Sequence, residues 1–153
     1  MSTDEYNGYI FFEADFAYEC LQSVPFDAAV ATRFIDYLNV TLQFQSTLDT
    51  LKSPPLSYQQ PALDVPRAIE SIRRNVTAGF YSDRPGGQYD FEADIQRLLS
   101  RVHDNHVTLS AGILSVFSFT SPFGLVSASA DGKAIPEVYI EGRENQMRNQ
   151  ETC

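Results

Sequence analysis

The sequence predicts an α+β fold: an N-terminal helical domain of about three helices, followed by a short strand-rich segment. Apolar residues recur at spacings near 3.6 from Val30 to Val102, the period of helices with one buried face. From His106 onward the texture changes to short, alternating runs of β-branched and aromatic residues, the period of strands. The 153 residues, with 43% hydrophobic and 12% aromatic side chains, suffice for one compact core. The expected organisation is an irregular arm over residues 1–15, a helical domain over 16–105, a strand-rich segment over 106–140 and a polar, disordered tail over 141–153.

Met1 to Glu13 is polar, with a cluster of Tyr6, Tyr9, Phe11 and Phe12 that has no clear period. Phe16 to Leu21 predicts a short helical turn, and Val24-Pro25 an extended link, since the residue before proline avoids the helical region. Asp27 is the N-cap candidate of a first long helix, Ala28 to Lys52, with Val30, Phe34, Leu38, Leu42, Phe44, Leu48 and Leu51 as its apolar stripe. Pro54-Pro55 stops it, and a connecting loop follows to Leu63. Asp64 caps a second helix, with Pro66 in the first turn where a missing N–H costs nothing. Val65, Ile69, Ile72 and Val76 form its buried stripe, and Gly79 supplies a left-handed stop.

A third helix is predicted from Asp90, with Glu92 and Asp94 near its N-terminus and Arg97 and Arg101 toward its C-terminus, each sign where the helix dipole favours it. Phe91, Ile95, Leu98, Leu99 and Val102 form its apolar face. Strands are expected at Val107 to Leu109, Val116 to Phe119, Leu125 to Ser129 and Val138 to Ile140. Asp131-Gly132 marks a hairpin turn between the last two, because this pair accepts the positive φ that such turns require.

Composition excludes some partners. A formal net charge of -9, from 20 acidic against 11 basic side chains with no clustered Lys/Arg stripe, argues against nucleic acid. No apolar run approaches the ~20 residues of a spanning helix, so no membrane partner is expected. Two cysteines, Cys20 and Cys153, stand near opposite ends; a terminal staple, two free thiols and bridges to partners elsewhere all fit that spacing, and Cys20 is the candidate disulfide residue within the domain. The sequons Asn39-Val-Thr41 and Asn75-Val-Thr77 make Asn39 and Asn75 candidate glycosylation sites. No signal peptide is visible in Met1 to Asp15, which has neither a basic n-region nor a sustained apolar core; the expectation is either a cytosolic protein or a true N-terminus that lies upstream.

The two histidines, His103 and His106, fall at the joint between the third helix and the strands. At a helix C-terminus an imidazole caps carbonyls, which is the simplest reading of His103. An unperturbed imidazole, with a pKa near ~6.5, is also a proton acceptor around neutrality. A rigid helix-to-strand step fixes a side chain better than a loop does, and His106 stands there, at its simplest as an ordinary strand-start residue. His103, Asp104 and His106 lack the further Cys or His that would complete a metal shell. Arg84-Pro-Gly-Gly87 lacks the lysine and glycine spacing of a phosphate cradle. No cofactor or metal is expected, and Gln43-Phe-Gln45 reads as an intramolecular packing motif.

Five stretches, in order, carry a family resemblance: Tyr18-Glu-Cys-Leu-Gln-Ser-Val-Pro-Phe26; Gln43-Phe-Gln-Ser-Thr-Leu48 with Leu51-Lys-Ser-Pro-Pro55; Tyr89-Asp-Phe-Glu92; His103-Asp-Asn-His106; and Asp131-Gly-Lys133 with Pro136-Glu-Val-Tyr139. Together they resemble the N-terminal region of secreted fungal serine peptidases of the tail-specific (C-terminal-processing) class, in the branch similar to the chlamydial protease-like activity factor (CPAF-like). The resemblance covers about Phe16 to Ile140.

What the resemblance implies is a helical N-terminal domain, a strand-rich region leading into a PDZ-like domain, and a larger α/β catalytic domain beyond Cys153. It implies a serine nucleophile, a histidine general base and an acidic orienting residue. The base lies in a His-Asp-Gly-His-like motif whose matching position is His106, with Asn105 where the family has glycine; asparagine tolerates the left-handed conformation better than most other residues. The serine and the acid fall in the catalytic domain, so residues 1–153 alone are expected to be inactive. The implied partners are a protein or peptide substrate and a second copy in a homodimer, and the implied location is extracellular. The other expectation is a free-standing, truncated extracellular interaction module without enzymatic activity.

Overall fold

The computed structural model describes residues 4–6, 9–110, 112–120 and 123–140. It falls into two units, Met1–Phe117 and Ser118–Cys153. The expected α+β class is what it shows: a helical part with a short strand pair before it and another after it among the described residues.

In the first unit the N-terminal arm is a small antiparallel hairpin rather than irregular chain. β1 (Asp4–Tyr6) pairs with β2 (Tyr9–Phe11) in the register Asp4↔Phe11, Glu5↔Ile10, Tyr6↔Tyr9. The short helical turn predicted next is longer than expected, because α1 spans Ala14–Gln22 and buries Ala17 and Leu21. Ser23 closes it by donating its hydroxyl to the Cys20 carbonyl at 2.8 Å.

The first long helix is interrupted. α2 (Ala28–Thr41) begins where Asp27 caps it, accepting the N–H groups of Ala29 and Val30 at 2.9 and 3.0 Å. It tightens into a 3₁₀ turn at Leu42–Phe44, leaves helical geometry at Gln45 and resumes as α3 (Leu48–Lys52). Leu38, Leu42 and Leu51 of the predicted stripe are buried and Phe34 and Leu48 pack against the core, whereas Val30 and Phe44 face solvent and Ala31 and Ile35 complete the buried face.

α4 (Val65–Thr77) matches its prediction residue for residue. Asp64 caps Arg67 N–H at 3.1 Å, and Val65, Ile69, Ile72 and Val76 are buried. Gly79 follows with φ +74°.

α5 (Gly87–Ser100) starts three residues before the predicted Asp90, and the reason lies in Gly86-Gly87. Gly86 takes φ +76°, and a Cβ on Gly87 would stand 1.8 Å from the Tyr81 carbonyl oxygen, so the helix start packs directly on backbone. Gly86 N–H also donates to the Gln22 carbonyl at 3.0 Å, tying α1 to α5. Arg84, across this turn, pairs with Asp90 and lies over the Phe80 ring.

The core gathers α2, α3, α4 and α5 around Ile35, Val65, Tyr81 and Ile95. Phe26, Tyr81 and Phe91 form an aromatic trio with centroids 5.5–5.6 Å apart. The Tyr81 hydroxyl donates to Asp94 at 2.6 Å, which satisfies the one polar atom that this side chain buries.

The predicted strands at Val107–Leu109 and Val116–Phe119 do not form. Val107 and Leu109 pack against the helical core, and a 3₁₀ turn at Ile113–Ser115 follows. An alternating pattern needs a pairing partner to become a strand; here Val107 and Leu109 find a helix surface instead, while Val116 and Phe119 stay exposed. Glu92, buried on α5, anchors this segment by accepting Leu114 N–H at 3.2 Å while Gln88 donates to its other oxygen at 2.7 Å.

In the second unit, β3 (Leu125–Ala128) pairs antiparallel with β4 (Glu137–Ile140), in the register Leu125↔Ile140 to Ala128↔Glu137. The predicted Asp-Gly turn lies between them. Asp131 accepts Lys133 and Ala134 N–H at 2.8 and 2.7 Å, and Gly132 has φ +71°. Every residue of both strands is exposed. The tail expected over 141–153 lies outside the described residues.

Candidate active site

The site is the exit of α5. Val102 is buried and fixes the end of the helix, and His103 then takes φ +54°, the left-handed stop that ordinarily falls to glycine. Its N–H reaches back to the Ser100 carbonyl at 3.3 Å. His103 thus terminates the helix through its backbone rather than by capping carbonyls with its ring. Among the described residues it is the one non-glycine with positive φ, so the turn is made without a left-handed Asn105.

The chain next turns over Asp104–Val107, with Val107 N–H donating to the Asp104 carbonyl at 2.9 Å. The Asp104 side chain reinforces the turn: its Oδ1 accepts His106 N–H at 2.9 Å and lies 2.8 Å from His106 Nδ1. Its Oδ2 accepts Gln45 Nε2 at 2.9 Å, and the same amide nitrogen lies 2.8 Å from Thr47 Oγ1. The break between α2 and α3 therefore delivers Gln45 to the turn. These bonds, first that from the His106 backbone, then those from Gln45 and the His106 ring, hold the Asp104 carboxyl down to about 2.

Partly buried Val107 and Leu109 fasten the far side of the turn to the core. His106 itself projects outward, its side chain 97% exposed, and no other described residue bonds its ring. The neighbouring cleft, about 370 Å³, is lined by Gln96, Ser100, His103, Asp104 and Thr108, and His106 is not on its wall. Among the described residues no three His, Cys, Asp or Glu side chains converge as a metal site would need. No described serine hydroxyl bonds His106.

The remaining candidate residues lie elsewhere. Cys20 is exposed on α1 and forms no disulfide among the described residues, while Cys153 lies outside those described. Asn39, on α2, and Asn75, on α4, are both half-buried, and the Asn75 amide donates to the Tyr81 hydroxyl at 3.5 Å. The residue that sequence reasoning missed is Gln45, taken as packing. The Asp-x-His spacing of an Asx turn was the available signal for Asp104.

Compared with known proteins, the chain is similar to peptidases. Peptidase S41 family protein phomP1' of Diaporthe leptostromiformis is 31% identical to it over 86 residues, which is 56% of this chain and 12% of that protein. Peptidase S41 family protein phomP1 of the same organism is 30% identical over 86 residues, with the same shares. The chain thus spans a small part of the length of the curated relatives it matches, and the likeness supports a peptidase-related protein at the level of the family. No family model matches the chain, and no solved structure matches it significantly.

Proposed function

We propose that this chain is the N-terminal, base-bearing portion of a secreted serine-type endopeptidase of the tail-specific class, CPAF-like branch. His106 is its general base, and the serine comes from a catalytic domain outside these 153 residues. The observation that carries this reading is the His106 ring, anchored through a turn fixed to the core on both sides and presented to solvent. In the reaction the serine Oγ bonds to the scissile carbonyl carbon as its proton passes to the imidazole. The imidazolium then gives that proton to the leaving amine, and water repeats the cycle on the acyl-enzyme. The substrate is a protein or peptide.

A second reading, a free-standing extracellular interaction module, is favoured by the β3–β4 hairpin. Leu125, Val126, Val138, Tyr139 and Ile140 are exposed on it.

Purified residues 1–153 should hydrolyse no peptide. Grafted in place of the matching segment of phomP1', they should support hydrolysis that His106→Ala reduces by about 10³-fold or more. Activity that survives this substitution would sink the assignment of His106. A folded but inactive unmutated graft would favour the interaction module.

A further inference from the structure

We infer that Asp104, itself held by Gln45, is a positioning residue for His106: it fixes the ring with its proton on Nδ1 and leaves Nε2 as the nitrogen that faces outward to accept a proton. The catalytic meaning of this inference rests on the general-base reading of His106, whereas the geometry stands without it.

Three donor positions converge on one carboxylate. The His106 backbone N–H and Nδ1 meet Oδ1 at 2.9 and 2.8 Å, and Gln45 Nε2 meets Oδ2 at 2.9 Å. A carboxylate held this low is ionised throughout the neutral range and can only accept. The ring nitrogen facing it must therefore be the donor, and in the neutral imidazole the lone pair is then left on Nε2. An unconstrained histidine in water prefers the opposite tautomer, so the turn imposes a choice that the ring would not make alone.

Gln45 makes the arrangement more than a local contact. It stands 59 residues from Asp104 in sequence and reaches it from the interruption between α2 and α3. Its donation to Oδ2 leaves Oδ1 to serve the backbone and ring of His106 together. The family resemblance places an acidic orienting residue in another domain, but here Nδ1 is already engaged from within the turn. The base is thus oriented before any second domain arrives.

Asp104→Asn is the informative variant, because an amide offers one accepting atom where three donors converge, and a tautomer-holding carboxylate fails when it becomes an amide. The measurement is a long-range proton–nitrogen correlation on the isotope-labelled full chain at about pH 8. It reports which nitrogen of each imidazole carries the proton, and exposed His103 serves as reference in the same spectrum. His106 should show the Nδ1–H pattern and His103 the ordinary Nε2–H pattern. Asp104→Asn should bring His106 to the pattern of His103, and Gln45→Ala should move it part of the way, with the helical circular dichroism unchanged. A His106 signal that matches His103 in the unmutated chain overturns the proposal even if a variant fails to fold; so does a His106 signal that Asp104→Asn leaves unmoved. Failure of the general-base reading would show separately, as hydrolysis surviving His106→Ala in the grafted peptidase.

Discussion

At the scale of single residues, two side chains tie stability to pH in opposite directions. The Asp104 carboxyl is held down to about 2 in the folded chain, below its unfolded value near ~3.9. Its contribution is therefore complete above about pH 4 and is lost as the pH falls toward 2. The melting temperatures of the parent and of Asp104→Asn should differ at neutral pH and converge in acid; a gap constant across that window would contradict this account. Tyr81 behaves in the reverse sense: burial first, and then its bond to Asp94, push it up to about 12. Its contribution is complete below about pH 10 and is lost as the pH rises toward 12. Tyr81→Phe should lower the stability measured in urea by about 1–2 kcal/mol at neutral pH. Asp94 keeps its pair with Arg97 at 2.7 Å in that variant, which limits the loss.

At the scale of elements, legibility depended on how far apart the deciding residues stand. α4 was readable in full because its cap, its Pro66, its stripe and its Gly79 are all local. The interruption between α2 and α3 was not, since a partner 59 residues away bonds the Gln45 side chain that it delivers. The stripe of α2 and α3 held at Leu38, Leu42 and Leu51 and failed at Val30 and Phe44, which are more apolar than the buried Ala31 but lie off the face that meets the core. His106 was singled out through the family resemblance; its bonds to Asp104 are local in sequence, but Gln45, which holds that carboxylate, stands 59 residues away. The two glycines that bound the α4–α5 link provide a further test. Gly87→Ala drives a methyl group into the Tyr81 carbonyl and should cost about 3 kcal/mol or more. Gly79→Ala meets nothing within 4 Å and suffers only its φ of +74°, a cost of about 1 kcal/mol. Urea denaturation of the two variants ranks them directly, and the opposite order would refute the packing argument.

At the scale of the whole molecule, every buried apolar residue among those described lies between Ala17 and Val102, within the first unit. A chain ending at Phe117 should accordingly melt within a few degrees of the full chain. A two-stranded hairpin is marginal by itself, and β3 and β4 carry exposed apolar side chains and outer edges that no other described strand pairs. Light scattering should therefore find the shortened chain monomeric and the full chain associating as concentration rises; identical masses would argue that the hairpin is inert. The aromatic trio of Phe26, Tyr81 and Phe91 has a consequence for how the molecule is made. Synthesis delivers Phe26 and Tyr81 before Phe91, so the nascent chain leaves the ribosome with its most deeply buried ring uncovered until α5 follows. A chain truncated just before Gly87 should accordingly aggregate more readily than one that includes α5.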